Sequence, residues 1–115
     1  IYTKNGKAEK VTCKDRDVSR RVEDTLASDE WSNIIGEFAF GINPKARFTQ
    51  EFLEAEKILG TIHIAFGKNV DMPGGKNTSK NHMDMLVSKP TVNVTMEDNS
   101  RITVLEEGRF KLKLQ

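Results

Sequence analysis

Two short apolar runs limit what this chain can fold into more than any other feature. Residues 33–42 read NIIGEFAFGI and residues 61–67 read TIHIAFG. Each contains a five-residue phrase, E-F-A-F-G or H-I-A-F-G, that opens on a metal-competent side chain. Runs of this length, bounded by turn residues, read as strands. Neighbouring side chains of a strand leave by opposite faces. Phe38 and Phe40 therefore share one face of the first strand, with Glu37, Ala39 and Gly41 on the other. In the second, Ile62, Ile64 and Phe66 oppose Thr61, His63, Ala65 and Gly67. A third run, HMDMLV at 82–87, sends His82 and Asp84 to one face and Met83, Met85 and Val87 to the other.

The remaining signals fill in a β-rich frame. Asn5-Gly6 is the dipeptide of a type I′ hairpin, whose two central residues both need φ > 0. Over 15–30, Val18, Val22 and Leu26 recur every four residues among charges, which predicts a helix capped by Asp15 or Asp17. Trp31 serves as a packing anchor at its end. Asn43-Pro44 closes the first apolar run. A second short helix is expected over 49–58, capped by Thr49, with Phe52, Leu53 and Glu56 at helical spacing and Gly60 closing it. The Gly-rich loop between the second and third runs reads as a mobile turn around Gly74-Gly75. TVNVT at 91–95 is answered across Glu97-Asp98-Asn99-Ser100 by RITVLEE, a hairpin. Phe110, Leu112 and Leu114 alternate with Lys111 and Lys113 at the end. The expected class is β-rich α+β: one domain over 1–115, a mixed or antiparallel sheet or barrel-like sheet, and two short helices.

Composition excludes several functions. The 115 residues fit one domain, and 18 basic against 17 acidic residues leave a net charge of +1. A bulk electrostatic grip on nucleic acid or acidic lipid is not expected. The lone cysteine, Cys13, rules out an internal disulfide or a Cys-rich zinc finger and suits a reducing, cytoplasmic setting. No apolar run approaches the roughly 18 residues of a membrane span, and no signal peptide is visible. The absence of an initiator methionine leads to the expectation of a piece of a longer protein.

The chemistry gathers on the three strands. A carboxylate such as Glu37 in an interior strand costs several kcal/mol unless it is compensated. His63, His82 and Asp84 can compensate it through ion pairs, or all four can coordinate a metal. Ala39, Ala65, Gly41 and Gly67 are small enough to leave room for an ion and a water. Nitrogen and oxygen donors without thiolate suit zinc, cobalt or manganese. Two histidines and two carboxylates also suit a co-catalytic ion pair, with further ligands supplied from elsewhere. Two other readings stay open: a single structural ion, or a metal-free interaction domain whose acids and histidines pair internally. Gly74-Gly75 lacks the spacing of a phosphate loop. Ser79 and Cys13 have no histidine at a spacing that suggests a nucleophile. Lys45 and Arg47 read as solvated.

The order G-E-x-x-x-G-x-N-P, then E-K-x-x-G-T-x-H-x-A-x-G, then H-x-D resembles the thermophilic metallo-aminopeptidases, the aminopeptidase T and aminopeptidase S enzymes often labelled leucyl aminopeptidase. The resemblance covers roughly residues 1–90 and is dense over 33–87. It implies two divalent ions in the full enzyme, peptide substrates trimmed from the N-terminus, a cytoplasmic homodimer, and an upstream domain carrying a further ligand glutamate. Carried over by position, the metal ligands are Glu37, His63, His82 and Asp84. Glu37 and His63 would hold one ion, His82 would favour the other, and Asp84 could bridge. Glu56 is the candidate for proton transfer, against the simpler reading of an exposed helix glutamate. The family often has a tyrosine where this chain has Val70. A chain without the upstream glutamate is expected to be inactive alone and to hold one ion or none.

Overall fold

The structure, a computed structural model, describes residues 1–48 and 52–112, without the side chains of Phe52 and Leu53. The proposed Thr49 cap, the packing of Phe52 and Leu53, and the alternation at Lys113 and Leu114 lie outside the described residues. The chain divides into two compact units, Ile1–Phe38 with Ile64–Met85 and Ala39–His63 with Leu86–Gln115.

The first unit opens on a hairpin. β1 (Tyr2–Lys4) pairs antiparallel with β2 (Lys7–Lys10), with Lys4 opposite Lys7. Asn5 and Gly6 sit at φ 52° and 75°, the pair of positive values that a type I′ turn requires. Helix α1 covers Arg16–Leu26. The Asp15 carboxylate caps it, accepting from the N–H groups of Asp17 and Val18 at 2.9 and 3.2 Å. The helix stops four residues before the expected limit. Beyond it the Ser28 hydroxyl donates to the Thr25 carbonyl at 2.7 Å, and Asp29 accepts from the Trp31 N–H at 3.0 Å. Short polar side chains that bond nearby backbone compete with helix in this way. Of the predicted stripe, Leu26 is buried while Val18 is exposed.

The three chemistry-bearing runs form one sheet: β3 (Ile35–Phe40), β4 (Ile62–Gly67) and β5 (His82–Val87), with β4 in the middle. Gly67 N–H donates to the Ile34 carbonyl and Gly41 N–H to the Thr61 carbonyl, both at 2.8 Å, so β4 runs antiparallel to β3. Only β4 is interior, with Ala65 at 0% and Phe66 at 2% exposure. The expectation that Glu37 lies in an interior strand fails at β3, where Phe38 is 47% exposed. Within this sheet β3 and β5 each have a neighbour on one side only, so fewer atoms cover them.

In the second unit, α2 is a single turn, Phe52–Ala55. Lys57 N–H then bonds the Glu54 carbonyl and Ile58 N–H the Ala55 carbonyl, at 3.0 and 3.3 Å. These i→i+3 bonds tighten the chain out of the helix. Gly60 at φ 85° completes the exit. The second predicted helix is thus reduced to one turn, and Glu56 lies past it. β6 (Val92–Thr95), β7 (Arg101–Glu106) and β8 (Arg109–Phe110) form an antiparallel sheet in that order. Leu105, fully buried, stands opposite Phe110, whose ring lies 6.1 Å from that of Phe40. The described residues are β-rich, with three small sheets and one helix of more than a single turn among them. No sheet among the described residues closes into a barrel, because each stops at two or three short strands. No helix among them is long and apolar enough to cross a membrane.

Candidate metal centre

Glu37 on β3 and His82 and Asp84 on β5 present ligand atoms that all lie within 4.8 Å of one another. The alternation of β5 puts His82 and Asp84 on a common face, as the sequence pattern requires. His82 Nε2 is 3.3 Å from Asp84 Oδ1 and 3.7 Å from Glu37 Oε2. The Glu37 and Asp84 side chains are half-buried, and His82 is open to solvent.

His82 is oriented from behind. Its Nδ1 lies 2.8 Å from the Lys68 carbonyl oxygen. A carbonyl can only accept, so Nδ1 carries the hydrogen and Nε2 is left to face the two carboxylates. The same carbonyl is the main reason the His82 pKa is raised; partial burial opposes it, and the charges of Asp84 and Glu37 add to it. An imidazole held by a backbone acceptor, with its other nitrogen beside two carboxylates, is a common setting for a metal ligand.

The charge balance tests the fit. Two carboxylates beside one imidazolium leave a negative charge over. A divalent cation with neutral His82 leaves none. One nitrogen and two carboxylate oxygens suit zinc, cobalt or manganese. The three residues present therefore fit a divalent ion, with open positions for water or substrate.

His63 belongs to the second unit and is 6% exposed. Its Nε2 lies 3.9 Å from Glu56 Oε2. The Glu56 side chain is only 14% exposed and also pairs with Lys57 at 3.0 Å. The simpler reading of Glu56 as an exposed helix residue is therefore corrected: it is mostly covered, and it follows the helix.

The expected room beside the ligands is not found at two of the four small residues. A Cβ on Gly41 would run into the Ile58 carbonyl and the Thr61 hydroxyl. One on Gly67 would meet the Asn81 carbonyl. Backbone occupies the space that looked available, so these glycines permit close packing.

Sequence reasoning missed the loop that supports the centre. It is fastened by hydrogen bonds on both sides of the Gly74-Gly75 turn. Asn69 Nδ2 donates to the Gly36 carbonyl at 3.0 Å, and its Oδ1 accepts from the Asn77 N–H at 2.9 Å. Buried Asn77 donates to the Gly67 carbonyl at 3.1 Å. Nearer His82, Asp29 accepts from the Lys80 N–H at 2.9 Å and the Ser79 hydroxyl at 3.0 Å, and buried Ser79 also contacts buried Ser32 at 3.0 Å. These contacts hold the Asp29 carboxyl at a pKa of about 2, the Lys80 N–H contributing most. The available signal was the recurrence of asparagine at 69, 77 and 81 around the Gly74-Gly75 turn.

No curated protein and no solved structure matches the chain. A family model, the thermophilic metalloproteases (M29), matches residues 2–110. That span covers nearly all of the sequence, including Glu37, His82 and Asp84, and the chain belongs to this family of hydrolases, which use divalent metal to act on peptides.

Proposed function

We propose that the chain is the metal-binding, C-terminal part of a dinuclear metallo-aminopeptidase, a single functional domain that works with an upstream domain of the same protein. The observation that carries this reading is the convergence of Glu37, His82 and Asp84 in a member of a metalloprotease family. The three residues hold one ion. His63 is the proposed ligand for the second ion that the resemblance to aminopeptidases implies, with the upstream glutamate completing it. Bound divalent ions lower the pKa of a coordinated water toward neutrality and polarise the scissile carbonyl.

The chain's own residues supply the setting. Glu37 and Asp84 provide the negative charge that draws in the cation, and the Lys68 carbonyl keeps Nε2 of His82 aimed at it. Glu56, mostly shielded from water beside His63, is the proposed proton carrier. N-terminal trimming follows if the free α-amino group of the peptide takes an open metal position. Zinc, cobalt and manganese are the candidate ions, and the protein is proposed to work as a cytoplasmic homodimer.

The test uses the protein with its upstream segment and a panel of amino-acid amides. Glu37→Ala is expected to lower kcat/KM by at least about 100-fold, since truncating even an outer partner of a metal ligand typically costs 10–100-fold. Unchanged hydrolysis across the panel would remove Glu37 from the site. The 115-residue chain alone is expected to bind metal without hydrolysing the amides.

A further inference from the structure

We infer that Asn69 is a positioning residue for the ion site, setting both the direction of His82 and its separation from Glu37. The inference rests on the metal reading above and deepens it. The starting point is the peptide unit between Lys68 and Asn69. Its carbonyl accepts from Nδ1 of His82 at 2.8 Å. Its N–H belongs to Asn69 and donates to the Asn77 carbonyl at 3.3 Å. The unit is planar, so fixing one end fixes the other.

The Asn69 side chain then ties this plane to the other ligand strand. Nδ2 donates to the carbonyl of Gly36, the residue immediately before Glu37, at 3.0 Å. Oδ1 accepts from the Asn77 N–H at 2.9 Å. Gly75 packs so closely on the Asn69 carbonyl that a Cβ there would collide with it. One side chain therefore joins β3, which carries Glu37, to the acceptor that orients His82 on β5. The position uses a donor toward Gly36 and an acceptor toward Asn77, and an asparagine amide offers both on one short planar group.

Asn69 is not one of the three residues that present ligand atoms, so its effect must appear in how His82 is held. The test uses the 115-residue chain with Asn69→Ala, which removes both bonds, and Asn69→Asp, which keeps the acceptor and turns an oxygen on the Gly36 carbonyl. In the metal-free chain at alkaline pH, nitrogen-15 shifts of the His82 ring should report an Nδ1–H tautomer in the wild type and a mixture in both variants. Zinc affinity measured by titration should fall about 10–100-fold in each. Leu105→Val, in the other unit, is the control for loss of stability: it should lower the melting temperature and leave the His82 tautomer alone.

Variants with the wild-type tautomer and wild-type zinc affinity overturn the role of Asn69 while leaving the ion site standing. A tautomer shift in Leu105→Val as well would show a general response to destabilisation and would also overturn it. A wild-type chain that shows the Nδ1–H tautomer yet takes up none of zinc, cobalt and manganese sinks the metal reading instead, so the two failures are told apart.

Discussion

Asp29 shows how much a single carboxylate can organise in a chain this small. It joins the end of α1 to the segment just before His82 through the Trp31 and Lys80 N–H groups and the Ser79 hydroxyl. Every one of these partners donates, so every one favours the ionised form. The folded-state pKa is accordingly lowered from 3.8 to about 2. A depressed folded pKa gives stability that is present above the unfolded value and lost as pH falls through the folded one. Asp29→Asn should therefore be less stable than the wild type at neutral pH, because its amide N–H meets other donors. That gap should narrow as pH drops from 3.8 toward 2, the interval between the two pKa values. Melting temperatures of the two proteins across that range check this; a gap that is constant with pH would mean Asp29 does not titrate as described.

Elements divide sharply in how well their residues announced them. The Asn5-Gly6 turn was legible because its dipeptide demands positive φ and the backbone has it. The strands 35–40, 62–67 and 82–87 were legible from alternation and length, and so was the hairpin of β6 and β7. The start of α1 was legible from its acidic cap. Its end was not, because Ser28 and Asp29 find partners far along the chain at Ser79, Lys80 and Asn81 that no local pattern shows. Gly41 was misread for a similar reason. Its lack of a side chain suggested space, whereas the Ile58 carbonyl and Thr61 hydroxyl already fill the position. Gly41→Ala should therefore cost about 1–3 kcal/mol or more, as overpacking does, rather than narrow a cavity harmlessly. Urea denaturation measures it, and a neutral substitution would restore the reading of Gly41 as a spacer.

At the scale of the whole molecule, the structure adds which of the candidate ligands converge. The strand pattern picked out Glu37, His63, His82 and Asp84 as a set, and three of them converge within 4.8 Å in the first unit. The fourth, His63, is found in the second unit beside Glu56. Alternation tells which residues share a face, but it carries no information on which side chains of that face come within ligand distance of one another. The outer support of His82 was equally hidden, since a backbone carbonyl at Lys68 has no signature in a side-chain sequence. The family resemblance read from G-E, G-T-x-H and H-x-D agrees with the family model over residues 2–110. Binding an ion to the folded state alone should raise stability by mass action, by about 2.7 kcal/mol at a hundredfold excess over Kd.

The most direct measurement is a calorimetric titration of zinc, cobalt and manganese into the purified 115-residue chain, wild type beside Asp84→Asn and the Glu37→Ala, His82→Ala double variant. Saturable uptake of one ion per chain is expected in the wild type for at least one of the three metals. Asp84→Asn should weaken it by more than about 10-fold, and the double variant should lose it, while each keeps the wild-type fold by circular dichroism. No uptake by the wild type, or undiminished uptake by the double variant, would contradict an ion site at Glu37, His82 and Asp84.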